Sequence, residues 1–203
     1  MKVNLISNIY FQAHKLDYKP EVVKRNDKTG EYKPENVSMV EIDLDNPNDL
    51  KALNKLKEEW YDANLKYVFT PYNTLNYTDW IVRGANESAI KTKNCGIEKR
   101  YYAVTAQEEN FESLDPKKIL SICEMLIFLN GNAELFLIQS KSKLPSERNP
   151  LYKRCGSALS DGLKHYFNEI TVFPVEKERQ FYEANGFHYY KTDDNHMIWK
   201  REE

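Results

Sequence analysis

Lys153, Arg154, Gly156 and Ala158 fall within six residues of one another in the run YKRCGSALSDGLKHYF (152–167), and an apolar repeat of helical period starts directly after them. A helix start leaves backbone N–H groups without partners and carries a partial positive charge. Small residues let an anion approach that backbone, and phosphates bind at such places for both reasons. The cations continue upstream: Lys141, Lys143, Arg148, Lys153 and Arg154 face Glu147 alone over residues 141–154, a local balance of +4 in a chain of net charge −2. A solvated basic loop before an ordinary helix has the same composition. The stretch is neither a Walker loop, which needs G-x-x-x-x-G-K-[ST], nor the G-x-G-x-x-G of a dinucleotide fold.

Other reactive residue types are sparse. Cys95, Cys123 and Cys155 are odd in number, far apart and without a C-x-x-C pair, so neither a disulfide framework nor a zinc site is expected. No metal site is expected. No Ser-His-Asp or Cys-His arrangement supports covalent catalysis. Glu124 and Glu134 sit in strand-like runs, where a carboxylate either faces solvent or serves as a base. His165 and His188 are possible bases in positions where surface or packing roles are expected.

The positioning elements follow from period and turn signals. SMVEIDL (38–44) reads as a strand. DNPNDLKALNKLKEEWYDAN (45–64) reads as an amphipathic helix, with Leu50, Leu53, Leu56 and Trp60 on one stripe and Pro47 in its first turn. A weaker helix covers YTDWIVRGANESA (77–89), with Phe69, Tyr72, Tyr77 and Trp80 as aromatic neighbours. RYYAVTAQ (100–107), ILSICEMLIFLN (119–130) and AELFLIQSKS (133–142) read as strands, the last two joined by an N-G-N turn. A helix from about Ser157 to Phe167, the strand EITVFPV (169–175), a helix in EKERQFYEANG ending at Gly186, and two final strands complete the order. Strands mixed with interspersed helices predict an α/β (α+β) fold. Residues 1–37 are the least legible part and read as an N-terminal extension, with a hairpin signal between Asn26 and Gly30. Residues 38–203 form the main domain.

The 203 residues, 41% of them hydrophobic, suit one domain with one sizeable core. The small net charge provides no global field for nucleic acid, which is not expected as a partner. The longest apolar run, around Met125–Leu129, is far short of the ~20 residues of a membrane span, and the N-terminus has no signal-peptide core. A soluble cytoplasmic protein with structural thiols is expected.

Two motifs, in order and about thirty residues apart, resemble the GNAT family of acyl-CoA-dependent N-acyltransferases. The family signature [Q/R]-x-x-G-x-[G/A] opens a helix after the fourth core strand, and here Lys153-x-x-Gly156-x-Ala158 stands in that place. The family's F-Y-x-x-x-G-F is matched in full by Phe181 to Phe187. The likeness spans about residues 38–203. Lys153 stands where Gln or Arg is usual, the preceding loop is longer than in many members, and Val175 occupies a position that is often Asn. The resemblance implies a mixed, mostly antiparallel sheet of six to seven strands, splayed into a V between its fourth and fifth strands and flanked by about four helices. It implies acetyl-CoA as co-substrate. The backbone of Cys155, Gly156, Ser157 and Ala158, with Lys153 and Arg154, would hold the pyrophosphate, and Leu137, Ile138, Gln139 and Ser140 the pantetheine arm. The reaction implied is direct attack of a primary amine, on a small molecule, peptide or protein, upon the thioester. Tyr182 is the candidate acid for the leaving thiolate, Glu134 the candidate base, and Glu124 the second choice for it. The aromatic residues Trp60, Trp80, Tyr72, Tyr77, Tyr189 and Tyr190 fall where the family shapes its acceptor pocket. A silent acyl-CoA-binding or protein-interaction module on the same fold is the alternative. Monomer and homodimer are both compatible with the sequence.

Overall fold

The computed structural model describes residues 13–65, 77–90, 97–141, 149–190 and 193–202. Phe69, Tyr72, Cys95, Lys143, Glu147 and Arg148 lie outside the described residues. In chain order the elements are β1 (His14–Lys15), β2 (Glu21–Arg25), β3 (Tyr32–Asn36), β4 (Ser38–Glu41), α1 (Pro47–Leu65), α2 (Tyr77–Ile90), β5 (Ile97–Thr105), β6 (Ile119–Phe128), β7 (Ala133–Ser140), β8 (Tyr152–Lys153), α3 (Cys155–Tyr166), β9 (Glu169–Val172), α4 (Arg179–Ala184), β10 (His188–Tyr190) and β11 (Asp193–Lys200). Eight strands form the main sheet in the order β1-β4-β5-β6-β7-β9-β11-β10, and β3-β2-β8 form a small second sheet. The main sheet has one strand more than the six to seven expected, because the two residues of β1 pair with β4 at its edge. No described helix is long and apolar enough to cross a membrane.

The part of the sheet from β4 to β7 is buried on both faces, by two separate clusters. Ala52, Leu53, Leu56 and Trp60 of α1 and Ile81, Val82 and Ala85 of α2 meet Val40, Tyr101, Ala103 and Ile122 on one face. Ala158, Leu159 and Leu163 of α3 and Tyr182 of α4 meet Met39, Val104, Cys123, Leu135 and Val172 on the other. Val22 of the N-terminal hairpin is fully buried in this second cluster. Gly162 lets α3 lie directly on the Met39 thioether, where any Cβ would collide. Trp60 is core, whereas Trp80 is 61% exposed on the outer side of α2.

Helix ends follow local chemistry. Asn46 caps α1 by accepting from the Asn48 N–H, and Asp49 reaches back to accept from the Asp43 N–H. α4 is preceded by a 3₁₀ turn, Glu176–Glu178, and stops at Gly186, φ +78°. Gly186 N–H donates to Glu183 O and Phe187 N–H to Tyr182 O, the pair of bonds of a Schellman stop.

Two irregularities shape the centre of the sheet. Glu124 pairs with Leu137 and Met125 with Leu135, so Phe136 is an extra residue, a β-bulge in β7. The extra residue reverses the facing of the strand: Leu135 belongs to the α3 cluster, while Leu137 packs under α1 and α2. Second, β7 and β9 are parallel and pair only at Ala133↔Ile170 and Glu134↔Thr171. β9 then ends at Val172, while β7 continues to Ser140 along β6. The strands part, and the remainder of β7 has no sheet partner on that edge among the described residues.

Candidate functional site

The N-terminus of α3 stands at the far end of the unpaired part of β7. A Cβ built on Gly156 would lie 2.8 Å from Ser140 Oγ and 3.3 Å from the Phe181 ring. The backbone therefore comes within side-chain distance of β7 and α4, and only glycine fits there. Ser140 Oγ is held 3.2 Å from Ser121 Oγ, which also donates to Gln139 O. The helix begins at Cys155, two residues earlier than its apolar pattern predicts, because the turn is made by Arg154 in the left-handed region (φ 61°, ψ 17°) without a side-chain cap. Non-glycine residues pay for that conformation and seldom adopt it without a reason.

The first rung of α3 joins Ala158 N–H to Arg154 O. Ala158 thus closes the helix, and the N–H groups of Cys155, Gly156 and Ser157 are those the helix itself does not require. The Cys155 side chain is buried, as is Cys123, whose thiol burial pushes well up. Lys153 and Arg154 are exposed. Lys153 Nζ sits 3.9 Å above the Tyr32 ring, so it is held by the hairpin. The same hairpin braces the whole approach to the turn. Val23 pairs with Lys153, Arg25 N–H donates to Leu151 O, the Arg25 guanidinium to Asn149 O, and the Tyr32 hydroxyl to Pro150 O at 2.7 Å.

On the β5–β6 side of this approach lies a cavity of about 300 Å³ walled by Leu120, Leu151, Tyr152 and Cys155 and bordered by Lys117, Lys118 and Lys141. These lysines add to the positive field near the turn.

Tyr182 is 4% exposed, with Phe181 and Phe187 packed edge-on against its ring. Burial, reinforced by Glu178 and Tyr77, drives its hydroxyl pKa far above the usual phenol value, so the group stays protonated. Glu134 occupies the last paired rung before the strands part. Its carboxyl is raised by burial, with His196 opposing. Glu124 is fully buried and ion-paired to Lys99 Nζ at 2.6 Å, and Gly84 of α2 roofs it so closely that a Cβ would lie 2.8 Å from Oε2. With its oxygens so engaged, Glu124 reads as a structural ion pair. His165 stacks on Tyr18 at the far end of α3. Leu137 and Ile138 are half-buried on opposite clusters, and Gln139 Nε2 donates to Ser140 O.

The splay thus brings together Gly156, Ser140 and Phe181 at one end and Glu134 at the other. The sequence reading missed Phe136, Phe173, His196 and the hairpin brace. No local signal marks them, because a bulge and cross-strand neighbours are matters of register.

No family model and no curated protein matches the chain. Among solved structures it is similar to the N-acetyltransferase YlbP of Bacillus subtilis in complex with coenzyme A, at 16% identity and a TM-score of 0.40, covering 73% of this chain and 90% of that one. It is also similar to an acetyltransferase of the GNAT family from Staphylococcus aureus Mu50, at 11% identity and a TM-score of 0.36, covering 81% of this chain and 98% of that one.

Proposed function

We propose that the chain is an acyl-CoA-dependent N-acyltransferase of the GNAT type that transfers acetyl from acetyl-CoA to a primary amine. The observation that carries this reading is the parting of β7 from β9 with the start of α3 set against the end of β7 at Gly156. An open strand edge can pair with the amide groups of a pantetheine arm. The N–H groups of Cys155, Gly156 and Ser157 suit a pyrophosphate, since a glycine cradle, a helix start and nearby cations all favour an anion there.

The residues supply the rest of the chemistry. Glu134, directly or through a water, takes a proton from the incoming ammonium, and the freed nitrogen bonds to the thioester carbonyl carbon. The bonded nitrogen loses its second proton to solvent, the carbon–sulfur bond breaks as Tyr182 gives its proton to the departing thiolate, and solvent then takes the proton from Glu134 and returns one to Tyr182. A carboxyl held above its ordinary value is a better-matched base, and a phenol that stays protonated is a competent acid.

Thermal unfolding with acetyl-CoA tests the donor site. At a hundredfold excess over Kd, stabilisation of about 2.7 kcal/mol is expected, and Gly156→Glu should abolish it by placing bulk and negative charge at the pyrophosphate. No shift at millimolar acetyl-CoA overturns the reading. Release of free thiol with a panel of primary amines separates an enzyme from a silent acyl-CoA binder.

A further inference from the structure

The sheet face that carries Glu134 also carries an aromatic stack which the chemistry above leaves unused. Phe173 follows β9 directly, His196 lies on β11 and Tyr190 ends β10. The His196 ring lies 4.6 Å from Phe173 at 16° and 5.1 Å from Tyr190 at 22°. Near-parallel stacking covers both faces of His196, whose Nε2 is buried with no hydrogen-bond partner among the described residues. Phe173 and Tyr190, 55% and 46% exposed, each keep one free face.

The strand order β7-β9-β11-β10 decides where those faces look. His196 backs Phe173 from the β11 side, so the free face of Phe173 is turned toward β7, across the gap that opens beyond the Glu134–Thr171 rung. Phe136, the exposed bulge residue, stands on the β7 side of that gap. The cluster beneath α1 and α2 takes its sheet residues from β4 to β7 and none from β9, β10 or β11. The gap therefore has one flat wall pinned by two further rings and the Glu134 carboxylate at its base, and a second carboxylate, Glu178, is held by the Tyr77 hydroxyl beyond the end of β9. An aromatic face and a carboxylate both attract a cation, and both repel an anion.

We propose that the Glu134 end of the gap, between Phe173 and Phe136, is the acceptor subsite and takes a primary ammonium carried on an aromatic body, with Phe173 as its stacking wall and Glu134 as its counter-ion, while the β7 edge from Leu137 to Ser140 is left to the pantetheine arm. Its place in a reaction rests on the acyltransferase reading, but the binding itself does not.

Titration calorimetry of the full chain with phenethylammonium, and separately with phenylacetate as the anionic counterpart, tests the site without any donor. Phenethylammonium should bind and phenylacetate should not. Phe173→Leu should weaken the ammonium at least about tenfold and Phe173→Tyr should restore it, while Kd for acetyl-CoA stays unchanged in both. Phe173 is exposed, so neither change endangers folding. Equal binding of the two probes, or wild-type binding by Phe173→Leu, overturns the proposal. Binding of phenethylammonium without release of free thiol from acetyl-CoA, by it or by any amine of the panel, upholds the subsite and sinks the enzyme reading instead. Acetyl transfer whose KM for the amine ignores Phe173→Leu overturns the subsite and leaves the enzyme reading intact.

Discussion

At the scale of single residues, Tyr182 and Glu134 separate cleanly. Tyr182→Phe keeps the ring wedged between Phe181 and Phe187 and removes only the hydroxyl. Fold stability and donor affinity should stay within a few-fold, while kcat falls at least ~10-fold, about 1.4 kcal/mol of barrier. Single-turnover acetyl transfer checks this, and an unchanged chemical rate would make Tyr182 purely structural. Glu134 must be ionised to accept a proton, and burial has raised its pKa above the ordinary 4.5. The rate should therefore fall as pH drops through that raised value, so the acid limb lies above 4.5. Glu134→Gln should lower the plateau and remove the limb. A profile identical to wild type would move the base elsewhere.

At the scale of elements, the junction of α3 with β7 and the start of α1 each carry a testable cost. Gly156→Ala puts a methyl against Ser140 Oγ, which Ser121 holds in place. Overpacking of this kind costs about 1–3 kcal/mol, and donor affinity should fall with it. Adding Ser140→Ala removes the colliding oxygen and should recover at least half of the loss, a coupling that a double-mutant cycle measures. Strict additivity would show that the two residues do not meet. Asp49, in the first turn of α1, is fully buried, and one of its oxygens has no partner. Desolvation pushes its pKa from 3.8 up to about 6, with Asp43 adding and the Asp43 N–H opposing. A raised acid binds its proton more tightly when folded, so its contribution is complete below pH 3.8 and is lost as pH rises through about 6. Asp49→Asn can still accept from Asp43 N–H. It should stabilise the fold at pH 7 by about 1–3 kcal/mol, less any helix-dipole loss, and flatten the fall between those pH values. Urea melts across that range read both effects.

At the scale of the whole molecule, the N-terminal hairpin and the turn at Arg154 form one unit although more than a hundred residues separate them. β2 pairs with β8, and Tyr32 both donates to Pro150 O and carries Lys153 Nζ on its ring. Tyr32→Ala removes a hydrogen bond worth about 1 kcal/mol and a cation–π contact of similar size. It should cost about that much stability and weaken acetyl-CoA about 3–10-fold, because the turn at Arg154 loses its brace. Tyr32→Phe keeps the ring and should fall between the two. Donor affinity untouched by Tyr32→Ala would show that the turn holds its shape unaided.

The sequence by itself determined what depends on neighbours a few residues away. The stripes of α1 and α3, the Asn-Gly-Asn turn and the stop at Gly186 all rest on local period and backbone freedom, and each is where its residues predicted. Gly156 was legible for the same reason, since a small residue at a helix start announces a close approach before its neighbours are known. The start of α3 at Cys155 was not, because Arg154 turns the chain with its backbone and leaves no capping side chain to recognise. Only tertiary structure decided what depends on register and strand order. The bulge at Phe136 exists relative to β6, the Lys99–Glu124 pair lies under Gly84 because α2 crosses there, and Phe173, His196 and Tyr190 stack because three strands align their rungs. Lys99 and Glu124, Gly84 and Glu124, and Phe173 and His196 lie far apart in the chain, and even Tyr190 and His196, which are near in it, meet only across the pairing of β10 with β11. Local propensity fixes which face a side chain takes along its own strand, but the packing of the whole sheet selects the rung, and with it the partner, that it meets.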